Sequence, residues 1–263
     1  MKVLSLKDRA ILREMVSSDF KVRYQGSLLG YLWSLLRPLF IFLILYVVFT
    51  YVLPLGKEVP YYAVQLFIGI ILWNFFSEAT VIGLGSVVSA GSLLRKVSIP
   101  RHLVVIASSV SALINLLLNL IVLFVFIIIS DVPFRMQWGL LPLIILEVFV
   151  FAQGLAFLLS ALCVKFRDIR YIWELVLQAG FYATPIIYTA AKIPEEFRKY
   201  FLLNPMAQAI QDARWMVVGK DSTTLWHIVS PLWAAVPIIL ILALLWLGIW
   251  YFRRSAPTFA EDI

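Results

Sequence analysis

Six stretches of this chain are long and apolar enough to cross a bilayer as helices: roughly 28–53, 61–90, 103–129, 138–164, 169–190 and 230–252. A hydrocarbon core takes about 20 helical residues, and lipid allows few alternatives, because every backbone N–H and C=O must find its partner within the protein. The 263 residues are 62% hydrophobic and only 14% charged, against about 25% charged in a soluble domain. The chain therefore reads as an integral membrane protein, multi-pass and helical.

Loop charge orients such a bundle, since lysine and arginine concentrate on the cytoplasmic side. With the N-terminus inside, six crossings place fifteen of the 22 Lys and Arg residues in cytoplasmic segments, among them Arg37, Arg95, Lys96, Arg101, Lys165, Arg167, Arg170, Arg253 and Arg254. Seven fall outside: Lys57, Arg135, Lys192, Arg198, Lys199, Arg214 and Lys220. The expected fold is all-α, with six transmembrane helices and both termini cytoplasmic. Orientation and anionic lipid then account for the net charge of +7 better than nucleic acid does. One cysteine, Cys163, cannot make a disulfide framework, and with only His102 and His227 beside it no metal site is expected.

The first residues are too charged for a signal peptide. Ser5-Leu6-Lys7-Asp8 has the form of a capping box. At helical spacing Ile11, Leu12, Met15, Val16 and Phe20 share one face, and Arg13, Glu14, Ser17 and Lys21 take the other. That pattern suits a helix lying in the membrane interface. Residues 191–229 are too polar to cross and too apolar for a plain loop. Pro194 followed by Glu195 and Glu196, then Asn204-Pro205, mark two helix starts, and Gly219 marks a stop. Two short outer helices are expected, either re-entrant or lying on the surface.

No Gly-x4-Gly-Lys-Ser/Thr loop, dinucleotide fingerprint, HExxH or nucleophile elbow occurs in the sequence. Energised work would thus draw on a partner. Intramembrane carboxylates are costly and mark candidate sites; here they are Glu78, Glu147 and Glu174. Glu78 shares a stripe with Asn74, Gly85, Ser89 and Ser92, and the third span carries Ser108, Ser111, Asn115 and Asn119. Hydrogen bonding between helices is the favoured role for both stripes. In the fifth span Glu174, Gln178, Phe181, Pro185 and Tyr188 fall on one helix face, and Phe42, Tyr46 and Phe49 form an aromatic stripe in the first. Each can line a saccharide path or face lipid; Gln178 favours the path for the fifth span, and the first span stays open.

Between the second and third spans lies a short segment, 92–101, in which cations alternate with apolar residues and Pro100 starts the next helix. Positive-inside anchoring explains the cations alone, whereas a small amphipathic helix offered to a soluble partner explains both. Beyond the fourth span, VKFRDIRYIWE packs five charges into eleven residues, 164–174. Lys165, Arg167 and Arg170 mark the ends of two spans, Asp168 is expected to pair locally and cap the fifth span, and Glu174 belongs to the polar stripe.

Leu94-Arg95-Lys96-Val97-Ser98-Ile99-Pro100-Arg101 resembles the coupling segment of the permeases that export bacterial surface polysaccharides. Phe166-Arg167-Asp168-Ile169, Thr184-Pro185-Ile186-Ile187-Tyr188 and Asn204-Pro205-Met206 resemble three further signatures of that family, in the same order and spacing. Thr184 stands where a serine is common. The likeness covers nearly the whole chain from Tyr24-Gln25-Gly26-Ser27-Leu28-Leu29-Gly30 onward. It implies a half-transporter of the O-antigen, capsule and teichoic-acid export type in the bacterial cytoplasmic (inner) membrane. Two copies would pair with two ATP-binding-cassette subunits, which bind the ATP and magnesium, and no cofactor would sit in this chain.

In that scheme residues 1–263 form one permease domain. It comprises an interface helix (1–27), spans one to five (28–190), outer gate helices (191–229), span six (230–254) and a cytoplasmic tail (255–263). Leu94, Arg95, Lys96, Val97, Ile99, Pro100 and Arg101 would seat on the ATPase, and Arg167, Asp168, Arg170 and Glu174 would form the cytoplasmic channel mouth. A lipid-linked glycan would pass Phe42, Tyr46, Phe49, Gln178, Phe181 and Tyr188, with Pro194, Phe197, Asn204 and Pro205 at the outer gate. The competing readings are an exporter of drugs or simple lipids from the same superfamily and, from a different class, a membrane-embedded glycosyltransferase.

Overall fold

The computed structural model describes residues 6–24, 30, 32–53, 56–57, 59–96, 99–219 and 222–259, and every regular element among them is helical. In chain order these are α1 (Leu6–Tyr24), α2 (Leu32–Val47), α3 (Tyr62–Ser89), α4 (Gly91–Lys96), α5 (Arg101–Ile129), α6 (Leu141–Lys165) and α7 (Ile169–Ala183). There follow α8 (Glu195–Leu202), α9 (Pro205–Val218), α10 (Leu225–Ile228), α11 (Pro231–Ala234) and α12 (Val236–Ser255). A π-helical turn, Val48–Val52, extends α2, and a 3-10 turn, Met136–Leu140, leads into α6.

Among the described residues, counted with these flanking turns, five helices are long and apolar enough to span a membrane: Leu32–Val52, Tyr62–Ser89, Arg101–Ile129, Met136–Lys165 and Pro231–Thr258. The expected sixth, 169–190, is not one of them. α7 has only 15 residues, about 22 Å at the helical rise, against a hydrocarbon core of about 30 Å. The cause is local. Proline disfavours helical backbone in the residue before it, and Thr184, preceding Pro185, is extended (φ −87°, ψ 137°). Six spanning helices are therefore corrected to five. The distribution of cations between the two sides, which needed six crossings, does not survive as drawn.

α3 is mostly apolar and is the most enclosed of the five, as expected of a helix that neighbours cover on most sides. α5 and α6 pack along it, α2 and α7 also contact it, and α12 lies against α6. The α6–α12 contact is close because both helices present glycine. A Cβ on Gly154 would stand 2.8 Å from the backbone of Leu245, and one on Gly248 would collide with the Gly154 carbonyl. Small residues that let helix backbones approach are the usual glue of membrane bundles. Aromatic rings fill the wider gaps: Phe76 stacks on Phe151 at 5.0 Å, and Phe42 meets Phe67 at 5.3 Å and Phe126 at 4.9 Å.

α1 packs along α5. At the start of α5, His102 lies within electrostatic reach of Asp8 from α1 and Arg253 from α12, and Arg101 sits 6.0 Å over the Phe259 ring. The N-terminal helix, the start of α5 and the end of α12 thus share one end of the bundle. Ser5, expected to cap α1, lies outside the described residues.

Candidate functional site

The break after α7 is built around Arg214 of α9. Its side chain is 1% exposed, and its guanidinium donates to the carbonyls of Gln65 (2.9 Å), Pro185 (2.7 Å), Ile186 (2.5 Å) and Tyr188 (3.4 Å). Tyr62 donates its hydroxyl to the Ile187 carbonyl at 2.8 Å. Residues 185–188 have left the helix, so their carbonyls need donors from elsewhere. A planar fork of five N–H groups serves several at once. Burial pulls the guanidinium down to about 10, with Tyr62 nearby opposing the shift, so it remains charged at neutral pH. Gly69 makes room for it: a Cβ there would stand 3.0 Å from an Arg214 nitrogen.

Two residues earlier on α9, Asp212 accepts from Gln208 at 3.1 Å and from the Trp226 indole at 3.2 Å. Burial pushes its carboxyl up to about 6, while those two hydrogen bonds and His227 act against the shift. Glu147 of α6 is within electrostatic reach of Asp212. In the sequence Glu147 stands isolated among Leu and Phe, and Arg214 counts only as an outer cation. A usable signal was present in the spacing: Gln208, Gln211 and Asp212 lie at i, i+3 and i+4, a polar stripe on one face. All three are buried.

A second polar centre lies between α2, α3 and α5. Asn115 donates to the Glu78 carboxylate at 2.7 Å, which makes the favoured interhelical role of these two stripes a direct contact. Asn119 donates to the Asn115 carbonyl at 2.8 Å and to the Ser34 carbonyl of α2 at 3.2 Å. Ser34 is four residues before Pro38, which has no N–H to give it. A cavity of about 490 Å³ opens beside these groups, lined also by Trp33, Arg37, Asn74 and Ser77.

The other expected site residues are spread over the bundle. α4 forms where the coupling segment was expected, and Pro100 precedes α5 as anticipated. The side chains of Leu94, Arg95 and Lys96, and the whole of Val97 and Ser98, lie outside the described residues. Ile99 and Arg101 are half-buried. Arg167, Asp168, Arg170 and Glu174 are all exposed, and Asp168 makes no capping hydrogen bond to α7. Gln178 is exposed and Phe181 half-buried, 6.1 Å from Trp73. The stripe from Glu174 does not continue along a helix to Pro185 and Tyr188, because α7 ends at Ala183; Tyr188 instead donates its hydroxyl to the Tyr182 and Ala183 carbonyls at 3.3 and 3.4 Å.

In α2, Phe42 is buried and stacks on Tyr46 at 5.6 Å, and Tyr46 stacks on Tyr62 at 6.3 Å; Phe49 packs against the same core. The two aromatic stripes therefore meet different residues of α3, with Phe42 against Phe67 and Phe181 against Trp73. Pro194 and Phe197 are exposed at α8. The cap at Asn204 forms, its side chain accepting from Met206 N at 3.0 Å, with Pro205 in the first turn of α9.

The sequence profile of the ABC-2 type transporter family matches residues 12–217. An O-antigen export system permease protein RfbA from Klebsiella pneumoniae is 28% identical over 252 residues, covering 95% of this chain and 94% of that protein. A second RfbA from the same organism is 29% identical over 202 residues, covering 76% and 77%. One from Myxococcus xanthus is 28% identical over 262 residues, covering 97% and 96%. With its five membrane-length helices, the chain is a membrane-embedded, multi-pass permease subunit and not a catalytic enzyme.

Proposed function

The chain belongs to the ABC-2 type transporter family, and from that premise we propose that it is the membrane subunit of an ATP-driven exporter. Its substrate is a lipid-linked polysaccharide, carried across the bacterial cytoplasmic membrane. The observation that carries this reading is the alignment, over nearly the full length of both proteins, with permeases of O-antigen export systems. The sequence holds no phosphate-binding loop, so ATP hydrolysis is assigned to a separate ATPase subunit, two of which serve two copies of this chain.

The ATPase is assigned to the end of the bundle where α1, α4, Arg101 and His102 come together, with Leu94, Arg95, Lys96, Val97, Ile99, Pro100 and Arg101 as the contact. The glycan route is assigned to the exposed face of α7, with Arg167, Asp168, Arg170 and Glu174 at its mouth and Gln178 and Phe181 further along. In α2, Tyr46 and Phe49 are assigned to the same route. Phe42, closed in by Phe67 and Phe126, supports them. Pro194, Phe197, Asn204 and Pro205 then belong to the gate at the far end. ATP-driven closure of the partner would displace α4 and α1, and through them α2 and α7. Alanine at Arg95, Lys96 and Arg101 together should abolish copurification of the ATPase or uncouple its turnover from glycan export. Full export by the triple variant would overturn the assignment.

A further inference from the structure

The cavity between α2, α3 and α5 is chemically lopsided. Asn115 and Asn119 are 6% and 5% exposed, and both side-chain amides spend their hydrogens on acceptors: the Glu78 carboxylate, the Asn115 carbonyl and the Ser34 carbonyl. That use fixes the amide orientation, because a flipped amide would set oxygen against oxygen. It leaves Asn115 Oδ1 and Asn119 Oδ1 as buried acceptors that no donor among the described residues reaches, and the buried Ser77 hydroxyl is in the same position. Leaving such atoms unsatisfied costs about 1–3 kcal/mol each, and lipid tails offer them nothing. All three residues line the cavity. Two further lining residues, Trp33 and Arg37, are exposed. At about 490 Å³ the space falls within the size range of small-ligand pockets.

We propose that this cavity binds one polyol phosphate unit, a sugar or glycerol carrying a phosphate ester. Its hydroxyls donate to Asn115 Oδ1, Asn119 Oδ1 and Ser77, its apolar face lies against Trp33, and its phosphate meets Arg37. Donor-rich ligands match a site whose inner wall offers acceptors, the Glu78 carboxylate among them, so the anionic group belongs at the exposed rim with Arg37, the one cation of the lining. The unit has two possible sources, the glycan side of a lipid-linked substrate or the headgroup of a membrane lipid such as phosphatidylglycerol. Neither source requires an ATPase to be present. A failure here is therefore read separately from a failure of the export reading.

The test is native mass spectrometry of the full chain in a polyoxyethylene detergent, chosen because a maltoside headgroup would itself compete. The probes are phosphatidylglycerol, glucose 1-phosphate, and phosphatidic acid as a phosphate without a polyol. The expected result is one equivalent of a polyol phosphate retained, phosphatidic acid about tenfold weaker, and each of Asn115→Leu and Asn119→Leu also about tenfold weaker, the loss of about one hydrogen bond. Val81→Phe, which fills the cavity from α3 without touching a hydrogen bond, should abolish retention and guards against misfolding of the asparagine variants. Retention of glucose 1-phosphate assigns the glycan source, and retention of phosphatidylglycerol alone assigns the membrane lipid. No retained probe would overturn the proposal. So would equal retention of phosphatidic acid, or retention unchanged in Val81→Phe.

Discussion

Asn119 donates its side-chain amide to the carbonyl of Ser34 at 3.2 Å, and so one spanning helix supplies the hydrogen bond that Pro38 denies to another. A proline inside a transmembrane helix is tolerated when a neighbour re-satisfies the freed carbonyl. The relation has a thermodynamic signature. Asn119→Leu should lower stability by about 1–3 kcal/mol, and Pro38→Ala, which returns an N–H to α2, should reduce that loss. A double-mutant cycle read by thermal unfolding in detergent should give a coupling of about 1 kcal/mol; additive effects would mean that Asn119 does not serve Ser34.

Gly154 and Gly248 set the distance between α6 and α12. Gly248→Val should cost about 1–3 kcal/mol or more through overpacking against backbone, and Gly154→Ala a similar amount. By contrast Gly139, where an added Cβ meets nothing within 4 Å, should accept alanine with little change. Melting temperatures of the three variants, measured side by side, check the ordering.

Arg214 and Tyr62 hold the same segment with unequal strength. Arg214→Met strips the charged donor from several carbonyls and should cost about 4 kcal/mol or more, the range of a broken buried network. Arg214→Lys keeps the charge but not the fork and should recover only part of it. Tyr62→Phe removes one hydrogen bond and should cost about 1 kcal/mol. Unfolding monitored by tryptophan fluorescence separates the three.

Asp212 makes stability depend on pH in a defined direction. Its folded carboxyl titrates near 6, above the ordinary value of 3.8, so the folded state holds the proton more tightly than the unfolded chain. The stabilisation is fully present below the ordinary value and is lost as pH rises through about 6. Asp212→Asn should flatten the melting profile across that window and raise stability at neutral pH by on the order of 3 kcal/mol. An unchanged profile would show that Asp212 is not the group responsible.

Helices announced themselves in the sequence where composition alone decides them. α3, α5, α6 and α12 are long apolar runs, and α9 begins at a readable Asn-Pro cap. The miscount came from α7. Its apolar run continues past Thr184-Pro185, and a window of hydrophobicity cannot see that the backbone turns extended there. In α2 a proline sits inside the helix and is repaired by Asn119, whereas Pro185 ends one. The site divides in the same way. Glu78, Asn115 and Asn119 were legible as polar stripes because stripes follow from helical spacing. Their meeting with Ser34 was not, because the acceptor is a backbone atom that exists only through the neighbouring proline. Arg214 was hidden for a related reason: its partners are carbonyls of Gln65, Pro185, Ile186 and Tyr188, and carbonyls have no letter in a sequence.

That last point has a consequence for how this segment can change over time. The clamp reads main chain, not side chains, so its hydrogen bonds do not depend on which residues stand at 186–188, while the buried Ile186 and Ile187 are held by packing instead. Exchange of Arg214 itself is expensive in every background, because no compensating side chain elsewhere can restore what it supplies. The clamp's indifference to the side chains of one stretch and its dependence on a single position 26 to 28 residues away are two sides of one contact.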